Sequence, residues 1–161
     1  MSEIKNQDPN LLHSFLLFEY DDVKPSKSSD GIVTMKGIIQ AAGKPNANNR
    51  IYPRPILERE DKKYQELIQE RRALGELDHP DSPIVQLENV SHLVTNTSWD
   101  GEDLIGEIEV LDTPKGQILG KLVERDIKLG ISSRGLGSTS RTNEGYDMVE
   151  DDFNLVCYDM V

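Results

Sequence analysis

Cysteine, long apolar runs and positive charge are all scarce in this 161-residue chain. The single cysteine, Cys157, excludes a disulfide within the chain and is typical of a reducing compartment. It lies in an apolar run, which predicts a packing role. The most hydrophobic stretch, residues 11–18, is too short to cross a bilayer and has no basic leader or small-residue cleavage site of a secretion signal. We therefore expect a cytoplasmic protein without a membrane partner.

Basic residues are outnumbered, 18 Lys and Arg against 29 Asp and Glu, which leaves a formal net charge of -11. Such a charge opposes binding to phosphate backbones, so we expect no nucleic-acid partner. Histidine occurs three times, without a His-Glu-x-x-His motif or a repeated His/Cys spacing. We therefore expect no metal and no cofactor, although nitrogen and oxygen ligands are available from Glu76, Asp78, His79, Asp81 and His92.

The apolar pattern predicts a single domain over residues 11–161, preceded by a loose stretch at residues 1–10. It indicates an α+β domain, with six or seven mostly antiparallel strands in a barrel-like or strongly curved sheet and two main helices. Gly75 and Gly130 are suited to end the two helices. Strands are predicted at 11–20, 32–42, 90–99, 104–111 and 153–161, and helices at 53–73 and from Thr113-Pro114 to Gly130, the second burying Ile118, Leu119, Leu122, Val123 and Ile127.

Two short motifs carry the candidate chemistry. His79 lies among acidic residues and before a proline that limits it to extended conformations, so it is a candidate base or an ordinary turn histidine. Ser132 and Ser133 lie between glycines, where an exposed nucleophile is accessible and where the Arg134-Gly135 backbone offers oxyanion donors. The alternative for this second motif is a flexible Gly/Ser loop. Together the motifs supply the imidazole and the hydroxyl of a serine hydrolase.

Asp159 is the candidate third member of a triad. Strand alternation puts it on one face with Phe153, Leu155 and Cys157, where an unpaired carboxylate would carry a desolvation cost. This predicts a partner for Asp159, such as a histidine. An aspartate at a water-exposed sheet edge is the alternative.

Several strings of residues occur in a recognisable order, and together they resemble the prohead core proteases of T4-like tailed bacteriophages. The resemblance extends from about residue 32 to the end of the chain. It implies a fold like that of herpesvirus maturation proteases, a seven-stranded barrel-like β domain surrounded by helices. The strings are Asn-Asn-Arg-Ile-Tyr-Pro at 48–53, Leu-Gly-Glu-Leu-Asp-His-Pro at 74–80, Gly-Ile-Ser-Ser-Arg-Gly-Leu-Gly-Ser at 130–138, Thr-Asn-Glu-Gly-Tyr at 142–146, Phe-Asn-Leu at 153–155 and Asp-Met-Val at 159–161.

By this resemblance His79 matches the catalytic histidine of the family and Ser132 its nucleophile, with Ser133 as a one-residue alternative. Asp159 is the expected partner of His79. Backbone N–H groups after Ser132 would stabilise the oxyanion, with help from Arg134 and Gly135. The resemblance also implies a chain that continues past the Asp-x-Val strand, so we expect this sequence to be a truncated or processed form.

The resemblance further implies a serine endopeptidase that cuts scaffold, capsid and other head proteins after glutamate, inside a prohead in the host cytoplasm. It also implies autoprocessing, and an oligomer is compatible with it. The cationic candidates for meeting the glutamate are Arg134, Arg141, Arg50 and Lys44, although Arg50 is equally suited to fixing the loop before the first helix. The alternative is a catalytically silent module of the same fold that binds scaffold or assembles with the capsid.

Overall fold

The structure is a computed structural model, and it describes residues 10–18, 31–78 and 80–161. These ranges contain eleven strands, two α-helices and a short 3-10 helix at Leu87–Asn89. None of the helices in these ranges is long and apolar enough to span a membrane. In chain order the elements are β1 (Leu11–His13), β2 (Leu16–Leu17), β3 (Val33–Ala41), β4 (Arg50–Ile51), α1 (Arg54–Gln69), β5 (Leu74–Glu76), β6 (Val90–Asp100), β7 (Asp103–Val110), α2 (Pro114–Glu124), β8 (Gly130–Leu136), β9 (Thr139–Arg141), β10 (Asp147–Val149) and β11 (Asn154–Met160).

The strands form three sheets. One has the order β3-β7-β6-β5, a second has the order β1-β8-β11 with β2 also paired to β8, and a small third has the order β4-β10-β9. Only β4 and β10 run parallel among these named pairs. A single parallel bridge between Leu77 and Met160 links the two larger sheets. The mostly antiparallel α+β class is thus confirmed, but the strands are more numerous than expected, and no closed barrel is found in the described ranges.

The first helix ends earlier than predicted. It stops at Gln69, and the chain turns at Arg71, whose φ is 56°. Gly75 is not a helix cap but lies inside β5, so that prediction is wrong. A Cβ at Gly75 would lie 2.1 Å from the carbonyl oxygen of Tyr158 and 2.2 Å from Nε2 of His92. Close packing of β5 on β11 and β6, and not a left-handed turn, therefore requires glycine here.

The second helix begins as predicted and also ends early. Thr113 caps it by accepting a hydrogen bond from the N–H of Gly116, at 3.0 Å. The helix ends at Glu124, whereas Gly130 opens β8 beneath the ring of Phe15. The predicted buried stripe is only partly correct: Ile118 is 48% exposed because the helix buries a narrower face, and Ile127, which is 45% exposed, lies beyond the end of the helix.

The main core lies between the two larger sheets and the helices. β8 and β11 contribute Ile131, Tyr158 and Met160 to it, and α2 contributes Leu119 and Val123. Burial of such side chains stabilises a fold by about 1.5–3 kcal/mol each. Because β8 is paired on both of its edges, the serine motif lies on an inner strand.

A β-bulge in β11 changes which residues share a face. Leu155 pairs with Gly135, but Cys157 pairs with Arg134, so one extra residue is accommodated between them. The N–H of Leu155 at the bulge donates to Oε1 of Glu60 in α1, at 2.9 Å. The predicted common face of Leu155 and Asp159 is therefore wrong, because a bulge shifts the alternation of the residues that follow it.

Candidate active site

The strand β8 carries both candidate nucleophiles at its centre. Ser132 lies opposite Asp159 and Ser133 lies opposite Tyr158, both on β11. Successive side chains of a strand point to opposite faces. Ser132 therefore shares a face with Arg134 and Asp159, whereas Ser133 shares the face that enters the main core. The two serines are 0% and 1% exposed.

Ser14, between β1 and β2, binds both serines. The hydroxyl of Ser132 donates to the carbonyl oxygen of Ser14, and the hydroxyl of Ser133 donates to Oγ of Ser14 at 2.7 Å. The backbones are also tied, since the N–H of Ser133 donates to Oγ of Ser14 at 2.8 Å and the N–H of Ser14 donates to the carbonyl of Ser133 at 2.9 Å. The segment around Ser14 thus covers the serine pair.

The start of β4 and the loop before it hold this covering segment. Nη1 of Arg50 and Nδ2 of Asn48 both donate to the carbonyl oxygen of His13, at 2.7 and 3.0 Å. The loop is itself organised by Oδ1 of Asn46, which accepts the N–H groups of Asn48 and Arg50 at 2.9 and 3.0 Å. In the described contacts, Arg50 therefore holds the backbone of His13, the residue before Ser14.

Arg134 is the centre of a buried polar cluster and is 0% exposed. Its Nε donates to Oδ2 of Asp159 at 3.0 Å. Its Nη2 lies 2.6 Å from Oε2 of Glu76, 3.1 Å from Oδ1 of Asp159 and 3.1 Å from Sγ of Cys157. Its Nη1 donates to the carbonyl oxygens of Ser82 and Ile84, at 2.7 and 3.2 Å. Each nitrogen of the guanidinium therefore has a protein acceptor.

Asp159 is held by the same cluster. In addition to Arg134, its Oδ1 accepts the backbone N–H of Glu76 at 3.0 Å and the thiol of Cys157 at 3.3 Å. Burial raises the pKa of the Asp159 carboxyl, and the charge of Arg134 opposes that rise. Burial likewise raises the pKa of the Cys157 thiol well above its usual value, so this buried cysteine stays protonated. The exposed-edge alternative for Asp159 is excluded, because its exposure is 0%.

His79 lies outside the described residues, and so does any pairing of Asp159 with it. The residues before it are described. The N–H of Asp78 donates to the carbonyl oxygen of Met160 at 2.7 Å, and Asp78 has a φ of 70°. The residue that precedes His79 is therefore next to β11, which is the strand adjacent to Ser132.

The remaining predicted residues are spread over the domain. Gly135 lies between Leu12 and Leu155, where a Cβ would be 2.5 Å from the ring of Phe153. Arg141 is exposed, and its Nε lies 3.1 Å from Oδ1 of Asp147. Lys44 is exposed as well, and its nearest carboxylate oxygen, on Asp103, is 3.9 Å away.

A cavity of about 350 Å³ lies beside Ser14. Phe15 and Ile39 contribute to its apolar lining, and Lys44 is the cation among its lining residues. The described part of the chain has no group of three or more His, Cys, Asp or Glu side chains that could hold a metal ion.

Three participants were missed in the sequence. Ser14 is a serine within an apolar stretch, and Ser82 and Ile84 enter the Arg134 cluster through their carbonyl oxygens. A backbone carbonyl leaves no residue-type signal. The one usable signal for Ser14 is a small polar residue at a position where a continuous strand would bury its side chain.

The site thus consists of a buried serine pair next to an Arg-carboxylate cluster, on a mostly antiparallel α+β fold. The family model described as the prohead core protein serine protease matches residues 16–161. The chain belongs to this family and is a phage capsid maturation protease.

The similarity is found both in sequence and in structure. The chain is 33% identical over 158 residues to the prohead core protein protease of Enterobacteria phage T4, covering 95% of this chain and 73% of that protein. Its fold is similar to that of the bacteriophage T4 capsid assembly protease gp21, with a TM-score of 0.84 and 32% identity over 94% of this chain and 97% of that one. The resemblance noted from the sequence is thereby confirmed.

Proposed function

We propose that this protein is a serine endopeptidase that cleaves scaffold, capsid and other head proteins inside an assembling prohead. The observation that carries the proposal is the position of Ser132 opposite Asp159, next to the strand residues that lead to His79. Asp78 is bonded to Met160, and neighbouring strands lie about 4.8 Å apart. The residue before His79 is thus two strand spacings, about 10 Å, from β8, with β11 in between.

Ser132 is the favoured nucleophile of the two serines. Its side chain is on the face of Arg134 and Asp159, towards which the segment before His79 is bonded. Ser133 points to the face of Ile131 and Tyr158, which belong to the main apolar core. A substrate carbonyl has no access from within that core, so Ser133 is the less suitable position.

His79 is proposed as the general base. It takes the proton from Ser132 as Oγ attacks the scissile carbonyl, and later delivers a proton to the leaving amine. The resulting acyl-enzyme is hydrolysed by water. Main-chain N–H groups that follow Ser132 stabilise the oxyanion, each donor being worth about 3–4 kcal/mol in comparable enzymes. The side chain of Arg134 has no free donor for this purpose in the described contacts.

Substrate access requires movement of the segment around Ser14. Both hydroxyls are bonded to this residue, so a peptide carbonyl reaches Ser132 only after the segment leaves β8. Its departure exposes an edge of β8 to which an extended peptide can add as a strand. The proposed enzyme therefore alternates between a covered and an open serine site.

One cation is well placed to bind the glutamate that, in this proposal, precedes the scissile bond. Among the four candidates, Arg134, Arg50 and Arg141 are hydrogen-bonded to protein groups, whereas Lys44 lines the cavity beside Ser14. The Lys44 ammonium is exposed and does not belong to the segment that must leave β8, so it stays available to an acidic side chain of the substrate. We assign Lys44 as the glutamate contact. Autoprocessing, a barrel-like herpesvirus-protease fold, a single domain and oligomer formation belong to the same proposal.

A silent capsid-assembly module is the second candidate, and the burial of both serines favours it. Co-expression with the scaffold protein of the same phage separates the two. We expect scaffold cleavage by wild type, loss of cleavage in Ser132→Ala and His79→Ala, and normal cleavage in Ser133→Ala. Ser138→Ala is the matched control, because Ser138 is an exposed serine of the same motif.

The fragments are identified by mass spectrometry, with and without a chelator. Loss of cleavage in Ser133→Ala alone would move the nucleophile by one residue. Uncleaved scaffold with every variant and with wild type would favour the silent module. Chelator-sensitive cleavage would replace the serine mechanism with metal-assisted hydrolysis.

A further inference from the structure

Arg134 contacts three separate parts of the chain. Its guanidinium meets Glu76 at the end of β5, Asp159 in β11, and the carbonyl oxygens of Ser82 and Ile84 in the loop after residue 80. Glu76 and Ser82 bracket the segment 77–81 in sequence. One buried side chain thus joins both ends of that segment to β8.

We propose that Arg134 is a positioning residue that ties both ends of the segment 77–81, the segment of the proposed base, to β8. The inference rests on the proposed function, in which His79 is the base. It assigns to Arg134 a role different from the oxyanion or substrate contact expected from the sequence. The role is exerted through the loop and involves no contact with substrate.

The geometry requires a guanidinium. Its acceptors lie in three directions, and each of its nitrogens serves a different set: Nε serves Asp159, Nη1 the loop carbonyls, and Nη2 serves Glu76 together with Asp159. A planar fork can satisfy such a set at once. A lysine ammonium is a compact charge at the end of a flexible stem, so it can retain the carboxylates but not the loop carbonyls at the same time.

A direct substrate role is disfavoured by the same contacts. Arg134 has 0% exposure, and binding an oxyanion or a glutamate would require breaking its bonds to Ser82 and Ile84. That exchange would release the loop that leads from His79. Positioning and substrate contact are therefore mutually exclusive uses of this side chain.

Amide hydrogen exchange on the full chain tests the inference without relying on activity. In Arg134→Lys we expect amides of 76–84 to exchange at least about tenfold faster, while amides of β6 and β7 keep their wild-type rates. On a peptide substrate, kcat should fall about 100-fold or more with KM within about twofold, because a displaced base affects the chemical step. Arg141→Lys is the matched control and should equal wild type in both measurements.

Unchanged exchange of 76–84 in a folded Arg134→Lys variant, with a raised KM, would overturn the inference in favour of substrate contact. If this variant does not fold, Glu76→Gln decides: faster exchange confined to 76–84 supports the inference, and wild-type exchange there overturns it. A loosened loop in Arg134→Lys together with full activity of His79→Ala would keep the loop contact of Arg134 and reject His79 as the base, so the two failures are distinguishable.

Discussion

The hydroxyl of Ser132 donates its hydrogen bond to the carbonyl oxygen of Ser14, a residue 118 positions earlier in the chain. A nucleophile bonded in this way has its proton directed at a backbone carbonyl that cannot act as a base. The contact couples two properties that are usually independent: how firmly β1 and β2 are held on β8, and how available the Ser132 hydroxyl is for reaction.

Ser14→Ala should weaken that coupling. The substitution removes the acceptor of the Ser133 N–H and hydroxyl, which would leave buried polar groups unpaired at a cost of about 1–3 kcal/mol in the free energy of unfolding. Because the covering segment is then held less firmly, kcat/KM on a peptide should rise. Urea unfolding and peptide cleavage measure the two effects. Destabilisation without increased cleavage would argue that the segment stays in place during catalysis.

Asp159→Asn should reveal which partner matters to this carboxylate. If its main partner is Arg134, the variant leaves a buried cation undercompensated and loses about 3–5 kcal/mol of stability. If instead it orients His79, kcat should fall sharply while the unfolding free energy changes little. Chemical denaturation and kinetics on the same preparation distinguish these results, and we expect the first. Asp152→Asn is a control, since Asp152 bonds to exposed Ser138.

His92 should make the protein less stable in acid. It is 0% exposed and bonded through Nε2 to the carbonyl of Tyr158 at 2.8 Å, and burial lowers its pKa from 6.5 to about 4. Between these pH values the unfolded chain binds a proton that the folded chain does not. Stability is therefore complete above pH 6.5 and declines as the pH falls towards 4, by about 3 kcal/mol from this residue.

The His92 contribution is isolated by comparison with His92→Gln. Unfolding free energies of both proteins are measured at about pH 7 and about pH 4. The wild type should lose about 3 kcal/mol more than the variant over this interval. An equal loss in both proteins would mean that other groups account for the acid sensitivity.

Gly75→Ala should be strongly destabilising, and Gly120→Ala should not. The new methyl group at 75 meets a backbone oxygen and a buried imidazole at 2.1 and 2.2 Å, so β5 must move away from β11, at a cost of about 1–3 kcal/mol or more. In α2, the nearest atom to a Cβ at Gly120 is 3.7 Å away, and alanine favours a helix by about 0.5–1 kcal/mol. Thermal unfolding should therefore shift in opposite directions. A neutral Gly75→Ala would imply that β5 is not tightly packed.

The elements with clear local signals were predictable. The hairpin of β6 and β7 and the Thr113 cap follow from alternation, from Asp-Gly at the turn and from a proline at the first helical position. The ends of the helices were less predictable. Arg71 and Asp126 enter the left-handed region without being glycine, and local sequence does not indicate which non-glycine residue will do so.

Within the candidate site, the residue types were predictable but the burial was not. Gly and Ser around Ser132 indicated an accessible nucleophile at an element end or, alternatively, a flexible loop, whereas the motif forms a buried inner strand because β1 and β2 pair with its second edge. That covering depends on contacts with a segment more than a hundred positions away in the chain. Similarly, Arg134 was assigned to substrate since its partners Glu76 and Asp159 come together only in the folded chain.

The bulge between Leu155 and Cys157 sets the tolerance of the site to insertions and deletions. With one residue fewer there, the strand would alternate simply, and each residue from 157 onwards would keep its present partner on β8. With the same residues and no bulge, Asp159 would instead lie opposite Ile131 and point into the apolar core. A single-residue gap at 155–157 in a sequence comparison therefore keeps Asp159 matched to its counterpart, whereas a deletion between 157 and 159 would take this anion away from its arginine.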